Sequence, residues 1–451
     1  MRLYLISPTH YARDGSLLKT PQYWTSALTL PTLKALTPPG WEVRLTEELI
    51  DDVDLDWPCD VVGLTAMGPQ IARAYELADE FRRRGRKVVL GGTWVSIAPP
   101  ERSLAHADAI VVGEAERVWA TCLEDLAAGR SRGVYRADDW VSPEEIPSID
   151  PHDLQLVRWD RFRRNPYYRA YFHWPLTFSR GCPLPCSYCA VQTFYRRSYR
   201  TKSIEHVLDD VRRIKAVGGR KLLFLDDNPI GDPDKAKELF RALIPERISW
   251  SSQCTIEIAR DPELLELAAR SGCVSLSIGF ESIDSSVLKN IKKGFNAPSR
   301  YDQDLAALRK YGIQVIALVM VGLDGQDARV FGRTVEFFRS TKVAIVKLFT
   351  PAPYPGTEYY ERMQTSGRIL DENWRHYDYA SVLVQPRDMS ADELRDGFDE
   401  AYRSFYSLRS IAGRMLPPPR RNWKEHSAYL VANLKTHMFL RKNPSAWGTI
   451  S

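Results

Sequence analysis

The sequence contains no run of eighteen or more apolar residues, the minimum for a membrane-crossing helix, so it reads as a soluble globular chain. Its start, MRLYLISPTHYARDG, has a charge and a polar loop where a secretory leader needs its apolar core, which places the expected location in the cytoplasm. Charge of one sign is also missing. The 62 Lys and Arg against 57 Asp and Glu leave a formal net charge of +5. That is a weak footprint for a dedicated nucleic-acid binder, and no nucleic-acid partner is expected. No internal repeat recurs at a solenoid period. Cysteine is scarce and odd in number, seven in 451 residues, and in a reducing compartment such thiols are not expected to pair as disulfides. Four of them, Cys59, Cys122, Cys254 and Cys273, stand alone in apolar segments and read as small buried hydrophobes.

With 44% apolar residues the chain has material for two or three cores. Residues 2–7, 42–45, 60–65, 87–92 and 108–114 are short, β-branched and closed by turn residues, which predicts five buried strands of a parallel sheet. Apolar residues at helical spacing over 70–84 and 117–128 complete the alternation of an open, doubly wound, Rossmann-like α/β domain. From 129 to about 164 charge, Gly and Pro replace any period, as in a linker. A second alternating series starts at PLTFSRG and continues with strands at 221–227, 248–254, 274–281, 313–322 and 344–351. Asp261-Pro262 opens one of its helices and Ser271-Gly272 closes it. Six such units predict a partial (β/α)6 barrel with its chemistry at the C-terminal strand ends. The expected division is a first domain over 1–130, a linker over 131–165, a partial TIM barrel over 166–370 and a mainly helical extension over 371–451.

Three of the seven cysteines crowd into RGCPLPCSYCAV, residues 180–191, with C-x3-C-x2-C spacing. Zinc normally takes four ligands from paired knuckles, and no second Cys/His pair follows at knuckle spacing. Three thiolates on one tight loop suit three irons of a [4Fe–4S] cube and leave the fourth iron open to a ligand. Pro183 and Pro185 stiffen the loop, and Tyr188 sets an aromatic edge beside its last cysteine.

This spacing, its place after the first barrel strand and the aromatic residue before Cys189 resemble the radical S-adenosylmethionine superfamily. The resemblance implies that Cys182, Cys186 and Cys189 hold the cluster and that the open iron chelates the amino and carboxylate groups of S-adenosylmethionine. One electron then cleaves the sulfonium to a 5′-deoxyadenosyl radical, which abstracts hydrogen from unactivated carbon. By the same resemblance Tyr188 borders the cofactor, and Asp226, Asp227 and Asn228 of FLDDNPIG stand where the methionine amino group is met. Gln253 and Glu281 fall where ribose and methionine are contacted. Gly322, in VMVGLDG, and the TPAPYPGT segment match strands that pack near adenine.

The front domain selects the subclass. Methylthiotransferases resemble this layout, but their front domain carries cysteines for a second cluster, and here it offers only the distant Cys59 and Cys122. It looks instead like the cobalamin-binding domain fused to radical barrels in the group of the anaerobic magnesium-protoporphyrin ester cyclase, hopanoid methylases and natural-product methylases. That resemblance assigns cobalamin to the crevice at the strand ends, against Thr65, Ala66, Met67, Gly91, Gly92, Thr93, Gly113 and Glu114. The D-x-H-x-x-G loop of better-known cobalamin domains is replaced by PTHYAR at 8–13, so His10 reads as an exposed loop residue and the lower axial cobalt ligand stays open.

Residues 377–414 resemble the extension of the same group and are expected to close over the barrel mouth. The implied reaction is methylation of an unactivated carbon of a small-molecule or lipid metabolite, with a reducing partner such as flavodoxin or ferredoxin and no protein nucleophile. Rival outcomes on the same cofactors are cyclisation, ring contraction and oxidation. A sensor of the same composition would release no 5′-deoxyadenosine. Three further segments take plainer readings: 165–178 as interdomain packing, 423–442 as an amphipathic helix docked on the barrel, and 196–202 as either an anion clamp or solvated charge.

Overall fold

The computed structural model describes residues 1–12, 14–20, 25–154, 172–418 and 421–442. The first sheet contains β1 (Arg2–Ser7), β2 (Glu42–Glu47), β3 (Val61–Thr65), β4 (Lys87–Gly91), β5 (Ala109–Val112) and β6 (Val134–Arg136). Their order is β2-β1-β3-β4-β5-β6, all parallel. The order reverses at β1, which opens a crevice at the C-terminal strand ends of the kind such sheets use for ligands. Strands β1, β3 and β5 are apolar on both faces because helices cover both sides of a parallel sheet.

Strand β6 lies inside the stretch expected to be a linker. At three residues it is too short to show a period, and its one buried residue, Tyr135, packs with Trp119 and Cys122 while its hydroxyl donates to Asp125 at 3.1 Å.

The second sheet contains β7 (Trp174–Leu176), β10 (Lys221–Phe224), β11 (Ser249–Cys254), β12 (Cys273–Glu281), β13 (Gln314–Met320) and β14 (Ile345–Phe349) in that order, again all parallel. These are the six strands of the expected partial barrel. Between β7 and β10 an antiparallel hairpin of β8 (Ser179–Gly181) and β9 (Tyr199–Thr201) projects from the barrel. Sequence pattern joined β7 and β8 into one strand. Asp226, at the end of β10, accepts the N–H groups of Phe178 and Ser179 and so turns the chain out of the ladder. Asp261 caps the helix Pro262–Arg270 as expected. All four isolated cysteines are at most 3% exposed.

The helical part of the C-terminal extension opens with two helices, Ala391–Phe405 and Leu408–Met415, divided where Ser407 caps the second. The Tyr402 hydroxyl accepts the N–H of Leu348, and that of Tyr406 donates to the carbonyl of Val346, so the first helix completes the free edge of β14. The helix Trp423–Lys442 then crosses the N-terminal strand ends, held by scattered apolar contacts of Tyr429, Leu430 and Leu440 and by polar ones. Tyr429 donates to Ser275 Oγ at 2.6 Å and Asn433 Nδ2 to the carbonyl of Ala344 at 3.0 Å. The extension therefore covers the edge and floor of the barrel. At the mouth, the N–H of Thr350 bonds the carbonyl of Tyr379, that of Gly325 bonds Asp388 at 2.6 Å, and Leu394 packs on Gly322. Within the 165–178 stretch, residues 165–171 lie outside the described residues, and Phe172 and Trp174 are core. Among the described residues no helix is long and apolar enough to cross a membrane.

Candidate active site between the two sheets

The hairpin β8–β9 carries the cysteine loop. Gly181, at its root, has φ +82° and a Cβ there would collide with the carbonyl of Ser198, so only glycine lets the two strands meet just before Cys182. Beyond the loop Gln192 Nε2 donates to the carbonyl of Cys182 at 2.9 Å and braces it. Burial raises all three thiols, and the proximity of Cys186 raises Cys182 and Cys189 further, the latter to about 12. Among the described residues no three His, Cys, Asp or Glu side chains converge as ligands of one metal ion.

Tyr188 and Glu281 come together above the loop through a residue the motifs did not mark, Lys293. Its Nζ lies 3.0 Å from Glu281 Oε1 and 3.3 Å from the Tyr188 hydroxyl. Both charged groups are 7% exposed. Glu281 follows a bulge in β12 and sits at φ +59°, a left-handed conformation costly for a non-glycine residue and characteristic of functional sites. Asn296 Nδ2 holds the carbonyls of Gly279 and Phe280 in the same turn. Gln253, one strand away, is exposed at the end of β11.

Other expected S-adenosylmethionine contacts are placed differently. Both Asp226 oxygens are spent on Phe178 and Ser179, so this carboxyl, raised to about 6 by burial, anchors the hairpin. Gly322 turns toward the extension: a Cβ there would lie 2.6 Å from Leu394, and its N–H is held by Gln326. In TPAPYPGT, Gly356 accepts from Thr193 and Tyr354 packs on Gly68 and Trp94 of the first sheet, so that segment joins the two halves. Asn228 is buried with Oδ1 unpartnered, and Asp227 opens toward the other half.

That opening is a cavity of about 650 Å³ between the C-terminal ends of the two sheets. Thr65, Met67, Gly91, Gly92, Thr93 and Gly113 line one side, and Thr177, Tyr195 and Asp227 the other. Gly92 has φ +100°, and a Cβ would sit 2.7 Å from the carbonyl of Ala66, so the backbone must be glycine there. Ala66 itself is 1% exposed and braces Gly91 and Trp94 through its backbone. Glu114 borders the cavity, but its oxygens are taken by Arg180, Arg200 and the N–H of Val141, which makes it a clamp between the halves. The same contacts remove Arg200 from the basic stretch 196–202 as a free anion clamp, and Lys202 pairs with Asp210. His10 is half-buried, its pKa lowered by burial against the opposing field of Asp378, and it is not among the residues lining the cavity.

Two family models match the chain, the radical SAM superfamily over residues 176–338 and the B12 binding domain over residues 36–123. The chain is a cobalamin-binding radical S-adenosylmethionine protein. The bacteriochlorophyllide d C-12(1)-methyltransferase of Chlorobaculum tepidum is 29% identical to it over 81% of this chain and 78% of that protein. The anaerobic magnesium-protoporphyrin IX monomethyl ester cyclase of Rubrivivax gelatinosus is 24% identical over 84% and 71%. Among solved structures, the radical S-adenosylmethionine methyltransferase TsrM from Kitasatospora setae has the same fold, with TM-score 0.68, 15% identity and 98% of each chain covered.

The residues present fit the family's cofactors. Three thiols on one braced hairpin are the donor set of a cluster with one open iron. On the cobalamin side the cavity is lined by two buried oxygens without a partner, Glu47 Oε2 and Thr25 Oγ1, which suit a ligand rimmed with amide N–H groups. The φ of +82° at Gly113 and the open space beside it leave room for such a ligand. Sequence reasoning missed Glu47, Thr25 and Lys293. Glu47 closes β2 at the start of the acidic run EELIDD and Lys293 lies in IKKG, and in sequence both read as solvated charge.

Proposed function

We propose that this protein is a cobalamin-dependent radical enzyme that methylates an unactivated carbon of a small-molecule metabolite. The observation that carries the reading is the shared cavity: the crevice of the first sheet and the mouth of the barrel open onto the same space, with Gly92 on one side and Asp227 on the other. Cluster, S-adenosylmethionine and cobalamin supply the radical and the methyl group when bound. The chain's part is to hold and orient them. Cys182, Cys186 and Cys189 hold the cluster, while Tyr188, Lys293 and Glu281 fix the charge beside it. Thr65, Met67, Gly92 and Gly113 form the cobalamin bed, and Glu114 with Arg180 keeps the two beds facing one another. The C-terminal extension covers the edge of the barrel, and its Tyr379 and Asp388 contacts at the mouth limit the access of water to a carbon radical there.

The methyltransferase among the relatives supports transfer of a methyl group, and the cyclase among them defines the alternative, a radical outcome on the same cofactors without methylation. A reducing partner such as flavodoxin or ferredoxin and a cytoplasmic location belong to the same proposal.

The test is anaerobic reconstitution with iron, sulfide and hydroxocobalamin, beside a variant in which Cys182, Cys186 and Cys189 are alanine. The expected result is about four irons and about one cobalamin per chain, with 5′-deoxyadenosine and S-adenosylhomocysteine both formed after reduction and both lost in the variant. Deoxyadenosine without S-adenosylhomocysteine transfers support to the non-methylating alternative. Iron without cobalamin removes the proposal.

A further inference from the structure

The barrel interior contains a lysine that none of the described residues engages. Strand β14 alternates: Val346 and Leu348 join the core beneath the helix Ala391–Phe405, so Ile345, Lys347 and Phe349 face the lumen. Register confirms the row, since Lys347 stands beside Leu318 of β13, which stands beside Gly279 of β12. Gly279 abuts the ion pair described above: a Cβ there would lie 2.5 Å from Glu281 Oε1 and 2.9 Å from Lys293 Nζ. Two strand spacings separate Lys347 from that pair, about 10 Å.

Lys347 has neither an ion-pair nor a hydrogen-bond partner among the described residues. Burial alone lowers its pKa, with no neighbouring carboxylate to oppose it. Lys347 is half-buried on the lumen face, and an ammonium partly withdrawn from water without a counter-charge is an energetic cost that an anionic ligand would offset.

Directly above it the wall is aromatic. Phe349 and Tyr188 pack on the same apolar cluster around Met320, and Tyr379 meets Phe349 edge to face with ring centroids 6.0 Å apart. Tyr379 is held at φ +65°, a strained conformation, and leaves 40% of its surface exposed. An exposed aromatic wall and one half-buried, unpaired cation on the same side of the lumen match a planar apolar molecule bearing a single anionic group. A phosphate dianion calls for several convergent donors or an arginine fork, whereas one ammonium matches a carboxylate.

We infer that the substrate of the proposed methyl transfer is an aromatic or similarly flat carboxylic acid, whose carboxylate pairs with Lys347 and whose ring system lies against Phe349 and Tyr379. This rests on the proposed function for what happens to the acid, but the binding claim stands on the lumen alone.

The test uses the full-length chain loaded with cluster, cobalamin and S-adenosylmethionine, titrated calorimetrically with 1-naphthoate and with its neutral analogue 1-naphthamide. The expected result is that naphthoate binds at least tenfold tighter than naphthamide to the native protein. Lys347→Met removes that preference, while Lys347→Arg keeps most of it. Iron and cobalamin contents of each variant report that the fold and cofactor sites are intact. Equal affinity for the two probes, failure of naphthoate to bind, or unchanged preference in Lys347→Met overturns the inference. Should the native chain fail to take up cobalamin, the functional proposal falls, and the same titration on the chain without cobalamin still decides whether Lys347 binds a carboxylate.

Discussion

Arg180, two residues before the first cluster cysteine, forms an ion pair at 2.8 Å with Glu114 at the end of β5, and the two side chains are only 18% and 4% exposed. The cluster hairpin of one half is thus tied to a cavity-lining turn of the other. Glu114 also takes Arg200, from the second strand of the hairpin, at 2.9 Å. Removing a carboxylate that neutralises two enclosed guanidinium groups leaves uncompensated charge, which typically costs about 3–5 kcal/mol. Glu114→Ala is expected to lower the melting temperature by several degrees and to open the interdomain junction to limited proteolysis. Glu114→Gln, which keeps the shape, is expected to recover little of the loss.

The same clamp has a pH signature. Burial works to raise the Glu114 carboxyl, but hydrogen bonds from Arg200 and Arg180 outweigh it and hold the pKa below the usual range. A depressed carboxyl stabilises the fold above its unfolded value, and that contribution is lost as pH falls through the folded value. Interdomain stability should therefore decline on acidification below about pH 4.5, the ordinary glutamate value. Denaturant melts across that range are expected to show a shallower acid decline in Glu114→Gln than in the native chain.

Glu47 predicts the opposite slope. Burial raises it from 4.5 to about 7, with a smaller push from Glu48, and Ser7 is its only hydrogen-bonding relief. The folded state then holds a proton that the unfolded chain releases, so stability is highest below pH ~4.5 and falls until about pH 7. At roughly 1.4 kcal/mol per pH unit this amounts to about 3 kcal/mol. Glu47→Gln should stabilise the cobalamin-free protein at pH 8 by an amount of that order and have little effect at pH 4. Because Oε2 faces the cavity unpartnered, the same change should weaken cobalamin binding several-fold, read by absorbance titration.

Much of this was legible along the chain. The three cysteines declared their chemistry through spacing alone, and the strand ends that carry Thr65, Gly92 and Gly113 were closed by residues that close strands. What stayed hidden was pairing. Glu114 reads as a turn residue until Arg180 and Arg200, 66 and 86 positions away, are folded against it. Asp226 carries the same signal as Asp227, two carboxylates after a strand, yet one is consumed by Phe178 and Ser179 and the other, bonded by the N–H of Gly181, lines the cavity. Gly322 shows why a glycine at a strand end is ambiguous, since Leu394 of a distant helix needs the same space that a ligand would. Strand β6 escaped because three residues carry no period.

Gly181 offers a test of the cluster loop that touches no ligand. Its φ of +82° and the carbonyl of Ser198 beside it exclude any side chain. Gly181→Ala is expected to displace β8 from β9 and with it the position of Cys182, cutting iron incorporation by more than half. The protein's overall melting should change much less, because the hairpin lies outside both six-stranded sheets. Iron content and cluster absorbance after reconstitution measure the first, and circular dichroism melts the second.

Lys293 tests the other side of the same site. It is enclosed with Glu281 and Tyr188, and its pKa is raised, burial being opposed by the field of Glu281 and then of Cys186. Lys293→Met leaves the Glu281 carboxylate buried without its cation, while Glu281→Gln leaves the ammonium. Each single change should destabilise the protein by about 3–5 kcal/mol. The double variant should cost less than the sum, since neither charge is then left unmatched. A purely structural pair would stop there. If the pair also fixes the charge beside the cluster, the double variant, although folded and loaded with iron, should bind S-adenosylmethionine at least tenfold more weakly than the native chain. Equilibrium dialysis beside the melts separates the two roles.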